Sequence, residues 1–234
     1  LAFVVYWAFQ NIGRIEGDDT ARPDPREQLR LTRQVLKSPA LWAINFVVGL
    51  RGMAYIAFIT FLPIYLKDEL GLDSRGVGVH IGLLTLIGIV ATPAMGYLSD
   101  RLGRKLVLVP GMLWLSALSL LLVVYGDGVM LTVILVLLGL FLYSDQPILT
   151  AAALDIVGRN VATTTLGVLS FTRFALSASS PLIAGYLSET YGMDAVFRYA
   201  AALFAVAAVA LTVIKMTPDT PSVEGNARGH HAAH

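Results

Sequence analysis

Three charged side chains stand where charge is expensive. Arg51, Asp145 and Arg173 each interrupt a long apolar run. Each run is of a length that crosses a bilayer as a helix, for which about 20 mostly apolar residues suffice. Ionisable groups at membrane depth are costly, and they mark solute or ion pathways. Arg51 and Arg173 lie about ten and eleven residues after the start of the first and fifth full runs, and Asp145 about ten before the end of the fourth. With alternating directions these three ends share one membrane face. At 1.5 Å per residue the three charges sit roughly 15–17 Å deep, near the middle of a ~30 Å core. The chemistry expected is charge pairing of Asp145 with Arg173 or Arg51, opened by a solute or a proton. An unpaired arginine would suit an anionic solute group. Asp145 could instead carry the proton itself, or the pair could be a static cement between helices.

Neutral neighbours complete the candidate pathway. Tyr55 and Phe58 share the helical face of Arg51, and Gln146 adjoins Asp145. Ser170, Arg173, Ser177 and Ser180 recur at three and four, and Gly167 and Thr163 extend that face. A small, polar stripe can be a packing seam. With an arginine in it, the wall of a water-filled cavity is the reading taken here. The pathway residues are therefore Arg51, Tyr55, Asp145, Gln146, Arg173 and Ser177.

These residues need spanning helices to position them. The chain has 234 residues, 56% hydrophobic and 14% charged, where a soluble domain carries about 25% charge. Mean hydropathy is +0.70. Six apolar runs are read at 41–66, 77–98, 106–125, 129–154, 162–187 and 195–216. Runs this long indicate membrane helices, and the short loops between them force antiparallel neighbours. The fold class expected is an all-α membrane protein, a bundle of six transmembrane helices.

The remaining segments read as follows. Residues 1–9 are the end of a truncated transmembrane helix, so the chain reads as a fragment lacking an upstream half. Residues 10–40 form a cytoplasmic central loop, either a helix lying on the membrane surface or a solvated linker. The domain of six helices covers 41–216, and 217–234 is a polar, disordered cytoplasmic tail. Twelve of the seventeen Lys and Arg residues fall on one side of this topology and three on the other. Short loops rich in cations stay in the cytoplasm, so that side is cytoplasmic. A net charge of +1 spread over such loops gives no reason to expect nucleic acid. The chain has no cysteine, hence no disulfide or thiolate chemistry.

Two stretches echo each other. Gly96-Tyr-Leu-Ser-Asp-Arg-Leu-Gly103 follows Pro93, and Gly185-Tyr-Leu-Ser-Glu-Thr-Tyr-Gly192 follows Pro181. Each ends the second helix of a group of three. The odd number of helices in each group inverts the second relative to the first, as in the inverted repeats of transporter folds. The first copy, running on to Lys105, carries three cations on the cytoplasmic side, whereas the second carries none.

The stretch from Gly96 through Asp100, Arg101, Gly103, Arg104 and Lys105 closely resembles the loop motif of the major facilitator superfamily. The order of the chain resembles the second half of such a transporter, helices seven to twelve, and Thr163-Thr-Thr-Leu-Gly167 is similar to the usual start of the eleventh. The resemblance implies alternating-access transport of a small solute, proton-coupled, as drug or metabolite efflux, antiport or organic-anion carriage. It also implies a missing six-helix partner half, a surrounding of lipid in the inner or plasma membrane, and a latch between halves at the motif. In that latch Asp100 would face the N-terminus of a neighbouring helix, while Arg101, Arg104 and Lys105 would pair with carboxylates or lipid head groups.

Other chemistry finds little to stand on. There is no nucleophile-with-base spacing, no metal-ligand set and no phosphate loop, so neither an enzyme nor a cofactor is expected. His230, His231 and His234 in the tail suggest at most stray metal binding. His80, near the outer end of its helix, reads as a hydrogen-bonded interface residue. Pro63, Pro93, Pro147 and Pro181 are expected to kink their helices. The alternative to a transporter is a membrane scaffold or sensor that kept the fold and lost transport.

Overall fold

The computed structural model describes residues 36–157 and 162–214, together with the isolated positions 30 and 33. The cut helix, nearly all of the central loop, Arg159 and the tail lie outside the described residues.

Among the described residues eight α-helices build six spans. Helix α1 covers Pro39–Ile64 and continues as a π turn over Tyr65–Glu69. Helices α2 and α3 are Ser74–Leu102 and Arg104–Tyr125. Helices α4 and α5 are Gly128–Leu142 and Asp145–Val157. Helices α6 and α7 are Ala162–Ser177 and Ser180–Tyr191, and α8 is Met193–Val213. Taken as α1 with its π turn, α2, α3, α4–α5, α6–α7 and α8, they give six spans long and apolar enough to cross a membrane. No strand occurs among the described residues.

Local chemistry sets several ends. Ser38 Oγ accepts from Leu41 N at 3.4 Å, with Pro39 at the first helical position, where its missing N–H costs nothing. Asp73 Oδ1 caps α2 by accepting from Gly76 N at 2.8 Å.

Spans four and five are broken, where the sequence suggested kinks. Pro147 has no N–H to give Tyr143 O, and α4 ends at Leu142. Pro181 likewise cannot serve Ser177 O, and α6 ends there. The freed ends find substitutes. Ser144 Oγ donates to Leu140 O at 3.0 Å, and Ser179 Oγ to Leu176 O at 2.7 Å. Pro63 and Pro93, together with Pro110, lie inside continuous helices.

Packing obeys the inverted repeat. Span one packs on five and six, span two on four, and span three on four and six. Exchanging one with four, two with five and three with six turns these pairs into one another. Spans two and five also match in exposure: 17% of each apolar window is buried, against 44–50% in the other four. The two echoed stretches occupy equivalent places. Gly103 and Gly192 each sit at positive φ, +100° and +85°. Each donates its N–H four residues back, to Ser99 O at 3.0 Å and Ser188 O at 3.1 Å. Only glycine adopts such a φ without strain, which is why both copies end on it.

Candidate functional site

Two of the three charges come together: the partner of Asp145 is Arg51. Arg51 Nε donates to Asp145 Oδ2 at 2.8 Å and Nη2 to Asp145 Oδ1 at 2.6 Å. This two-pronged match of guanidinium to carboxylate is the strongest form of the ion pair. Arg51 is 2% exposed and Asp145 not at all. Nη2 also donates to Leu142 O at 2.7 Å, and Nη1 to Gln146 Oε1 at 3.2 Å.

The break in span four explains this geometry. Leu142 is the last residue of α4 and Asp145 the first of α5. Arg51 thus holds an end carbonyl of one half-helix and the leading carboxylate of the next, clasping the break from span one. Its guanidinium lies 4.6 Å above the ring of Tyr55. Tyr55 packs edge-on against Tyr143, centroids 6.0 Å apart, and the Tyr143 hydroxyl is 3.2 Å from Thr85 Oγ1. Gly88 makes room for Tyr143, since a Cβ there would lie 2.3 Å from its ring.

Arg173 does not join the pair. It is half-buried, its guanidinium 4.7 Å from the ring of Phe174, and it has no ion-pair or hydrogen-bond partner among the described residues. It shares a cavity of about 40 Å³ with Arg51, Gln146, Thr150 and Ser170. That volume holds a water or a small polar group.

The serine stripe divides in two. Ser170 faces the cavity, but Ser177 and Ser180 lie in the crossing of α1 with α6 and α7. A Cβ on Gly52 would fall 2.5 Å from Ser177 Oγ, and one on Gly49 2.3 Å from Leu176 Cδ1. Ser180 Oγ donates to Met53 O at 2.6 Å, and Asn45 Nδ2 to Thr172 Oγ1 at 2.8 Å. The close glycine approach makes this end of the stripe a seam. Ser177 is correspondingly absent from the cavity wall, and its buried Oγ has no hydrogen-bond partner.

The motif between α2 and α3 works inside the bundle. Arg104 pairs with Asp100 at 2.5 Å and with Asp155, at the end of span four, at 3.1 Å. Lys105 Nζ donates to Thr212 O at 2.5 Å and Ile214 O at 3.0 Å, capping α8. Within this half, Asp100 engages Arg104. Arg101 lies 4.7 Å over the ring of Tyr97. A larger cavity, about 390 Å³, opens here, but its carboxylates are exposed and its half-buried cations are already bonded. The fully buried Arg51–Asp145 pair is the more informative feature. His80 is a bonded interface residue: Nδ1 donates to Gly76 O at 2.8 Å, and Nε2 lies 3.1 Å from Thr132 Oγ1.

Reading the sequence missed Tyr143 and Ser144 at the break, Asn45 with Thr172 at the seam, and Asp155 as the partner of Arg104. Polar Asn45 three and four residues from neighbours in an apolar run, with Gly49 and Gly52 beyond it, was the available signal for the seam.

Comparison with known proteins agrees with this architecture. Residues 44–233 match the family model described as Major Facilitator Superfamily. A Cupriavidus necator protein named as a probable sulfoacetate transporter is 30% identical over 77% of this chain and 45% of its own length. An Escherichia coli protein named as multidrug resistance protein MdtG is 29% identical over 68% of this chain and 41% of its own. The chain thus spans less than half the length of these relatives.

Proposed function

The chain belongs to the major facilitator superfamily, and on that premise we propose that it serves as one six-helix half of a secondary active transporter. A family member with six spans is a multi-pass integral membrane protein. The reading adds a small solute carried by alternating access, with protons as the coupling ion and a second six-helix unit as partner. One observation carries it: a buried Arg51–Asp145 pair that clasps the break in span four beside a cavity shared with Arg173.

The pair suits a switch because its two states differ in what holds α4 to α5. With Asp145 ionised, both half-helices are tied to Arg51. With Asp145 protonated or Arg51 drawn to a solute, the tie to α5 loosens while Leu142 O stays bound. A broken helix can then change the angle between its halves, and such discontinuous helices line transporter sites near the bilayer midplane. Opening must cost only a few kcal/mol for a solute or proton to bias it. Arg51, Tyr55, Asp145, Gln146 and Arg173 form the pathway, with Ser177 in the seam that supports it. The motif charges from Asp100 to Lys105 fasten the ends of spans two, three, four and six on the cytoplasmic side.

The test is flux. The full-length protein is reconstituted in vesicles holding a pH-sensitive dye, and candidate solutes are added across an imposed pH gradient. Solute-dependent proton movement supports the reading. Absence of both proton-linked flux and solute exchange, from a protein that purifies folded, would point to the scaffold or sensor.

A further inference from the structure

We propose that Arg173 is the receptor for a single negative charge on the solute, so that the site takes monoanions of the carboxylate or sulfonate class and rejects cations. This rests on the transport site proposed above and names the class of its ligand.

Charge at this level does not balance. Among the described residues Asp145 is the sole carboxylate at mid-membrane depth, since every other Asp or Glu lies at a span end or in a loop. Asp145 is consumed by Arg51, both of its oxygens being taken within 2.8 Å. Arg173 faces the same cavity with no carboxylate of its own. Among the described residues the site therefore carries one surplus positive charge. The rest of the polar wall is neutral: the Gln146 amide and the Thr150 and Ser170 hydroxyls. The Gln146 amide and the Ser170 hydroxyl can donate to an anion, whereas the Thr150 hydroxyl already donates to Gln146 O at 3.0 Å; none of the three carries a negative charge to balance a cation.

Geometry limits what enters. About 40 Å³ accommodates one anionic head group, with the body of the solute outside it. Planar forks of guanidinium N–H groups match carboxylate and sulfonate oxygens. Arg51 adds a second edge, because its Nη1 already reaches into the cavity toward Gln146. A cation placed there would meet one unpaired guanidinium and one held by its carboxylate.

The experiment uses the purified full-length protein in detergent, with protection against thermal unfolding as the readout. Benzoate and benzenesulfonate are the probes, with benzamide and benzylammonium as size-matched controls. Both anions should protect in proportion to concentration and the controls should not. Arg173→Gln should weaken anion protection about 10- to 100-fold, the range for lost hydrogen bonds to a charged group. Arg173→Lys, which keeps the charge and loses the fork, should fall between. Benzylammonium protecting as well as benzoate, or an anion response unchanged in Arg173→Gln, overturns the proposal, as does absence of anion protection in the unmodified protein. The two readings fail separately. Transport of a neutral or cationic solute independent of Arg173 would sink the inference and leave the transporter. Arg173-dependent anion binding without any flux would do the reverse.

Discussion

Replacing Asp145 by Asn isolates the energetics of the buried pair. The substitution keeps shape and removes charge. Of the four hydrogen bonds that Arg51 donates, those to Leu142 O and Gln146 Oε1 survive, and the two charge-assisted bonds to the carboxylate weaken or vanish. With Arg51 2% exposed, bulk water does not reach the vacated positions. Removing one partner of a buried pair costs about 3–5 kcal/mol, because the other charge is stranded. For a domain of 150–250 residues each kcal/mol moves Tm by about 2–4 °C, so the drop should be about 6–20 °C. Thermal unfolding in detergent, followed by far-UV circular dichroism, measures it. The double variant Arg51→Met with Asp145→Leu should recover most of the loss, since apolar residues of similar volume often replace a buried pair at little cost. A loss below about 1 kcal/mol in Asp145→Asn, the size of an exposed pair, would refute the reasoning: Arg51 would then be solvated and its clasp on span four ineffective.

Other substitutions test the packing and the repeat. Gly139→Ala should destabilise by about 1–3 kcal/mol in the same unfolding assay, because the new Cβ would sit 2.5 Å from Leu84 O, a backbone atom. Gly103→Ala and Gly192→Ala should each cost about 1–2 kcal/mol, the strain of a left-handed conformation with a Cβ, and near-equal losses would accord with their equivalent positions. Arg104→Ala should cost no more than about 1 kcal/mol despite its two ion pairs, since Asp100 and Asp155 are both exposed.

The level of the charges was legible in the sequence; their partners were not. Counting residues from run ends places Arg51, Asp145 and Arg173 at one depth, because helix rise is fixed. Which arginine meets Asp145 depends on how each helix is rotated about its axis, and apolar runs with little amphipathic pattern do not report rotation. The breaks at Tyr143 and Ala178 escaped for a related reason. Hydropathy continues across them, and only Pro147 and Pro181 hint at the lost hydrogen bonds. Ser177 and Arg173 share a stripe by spacing, yet Gly49 and Gly52 draw α1 against one end of it alone. The echo of Gly96–Gly103 in Gly185–Gly192 was readable because a positive φ demands glycine wherever the fold repeats.

The central claim is that the clasp on span four must open for solute to move. Solute exchange across vesicles by the full-length protein, compared between the unmodified form and Asp145→Asn at matched amounts of folded protein, tests it most directly. If the clasp must open, exchange or its dependence on the pH gradient is lost in the variant. Exchange and pH dependence both intact would mean that the pair merely cements two helices.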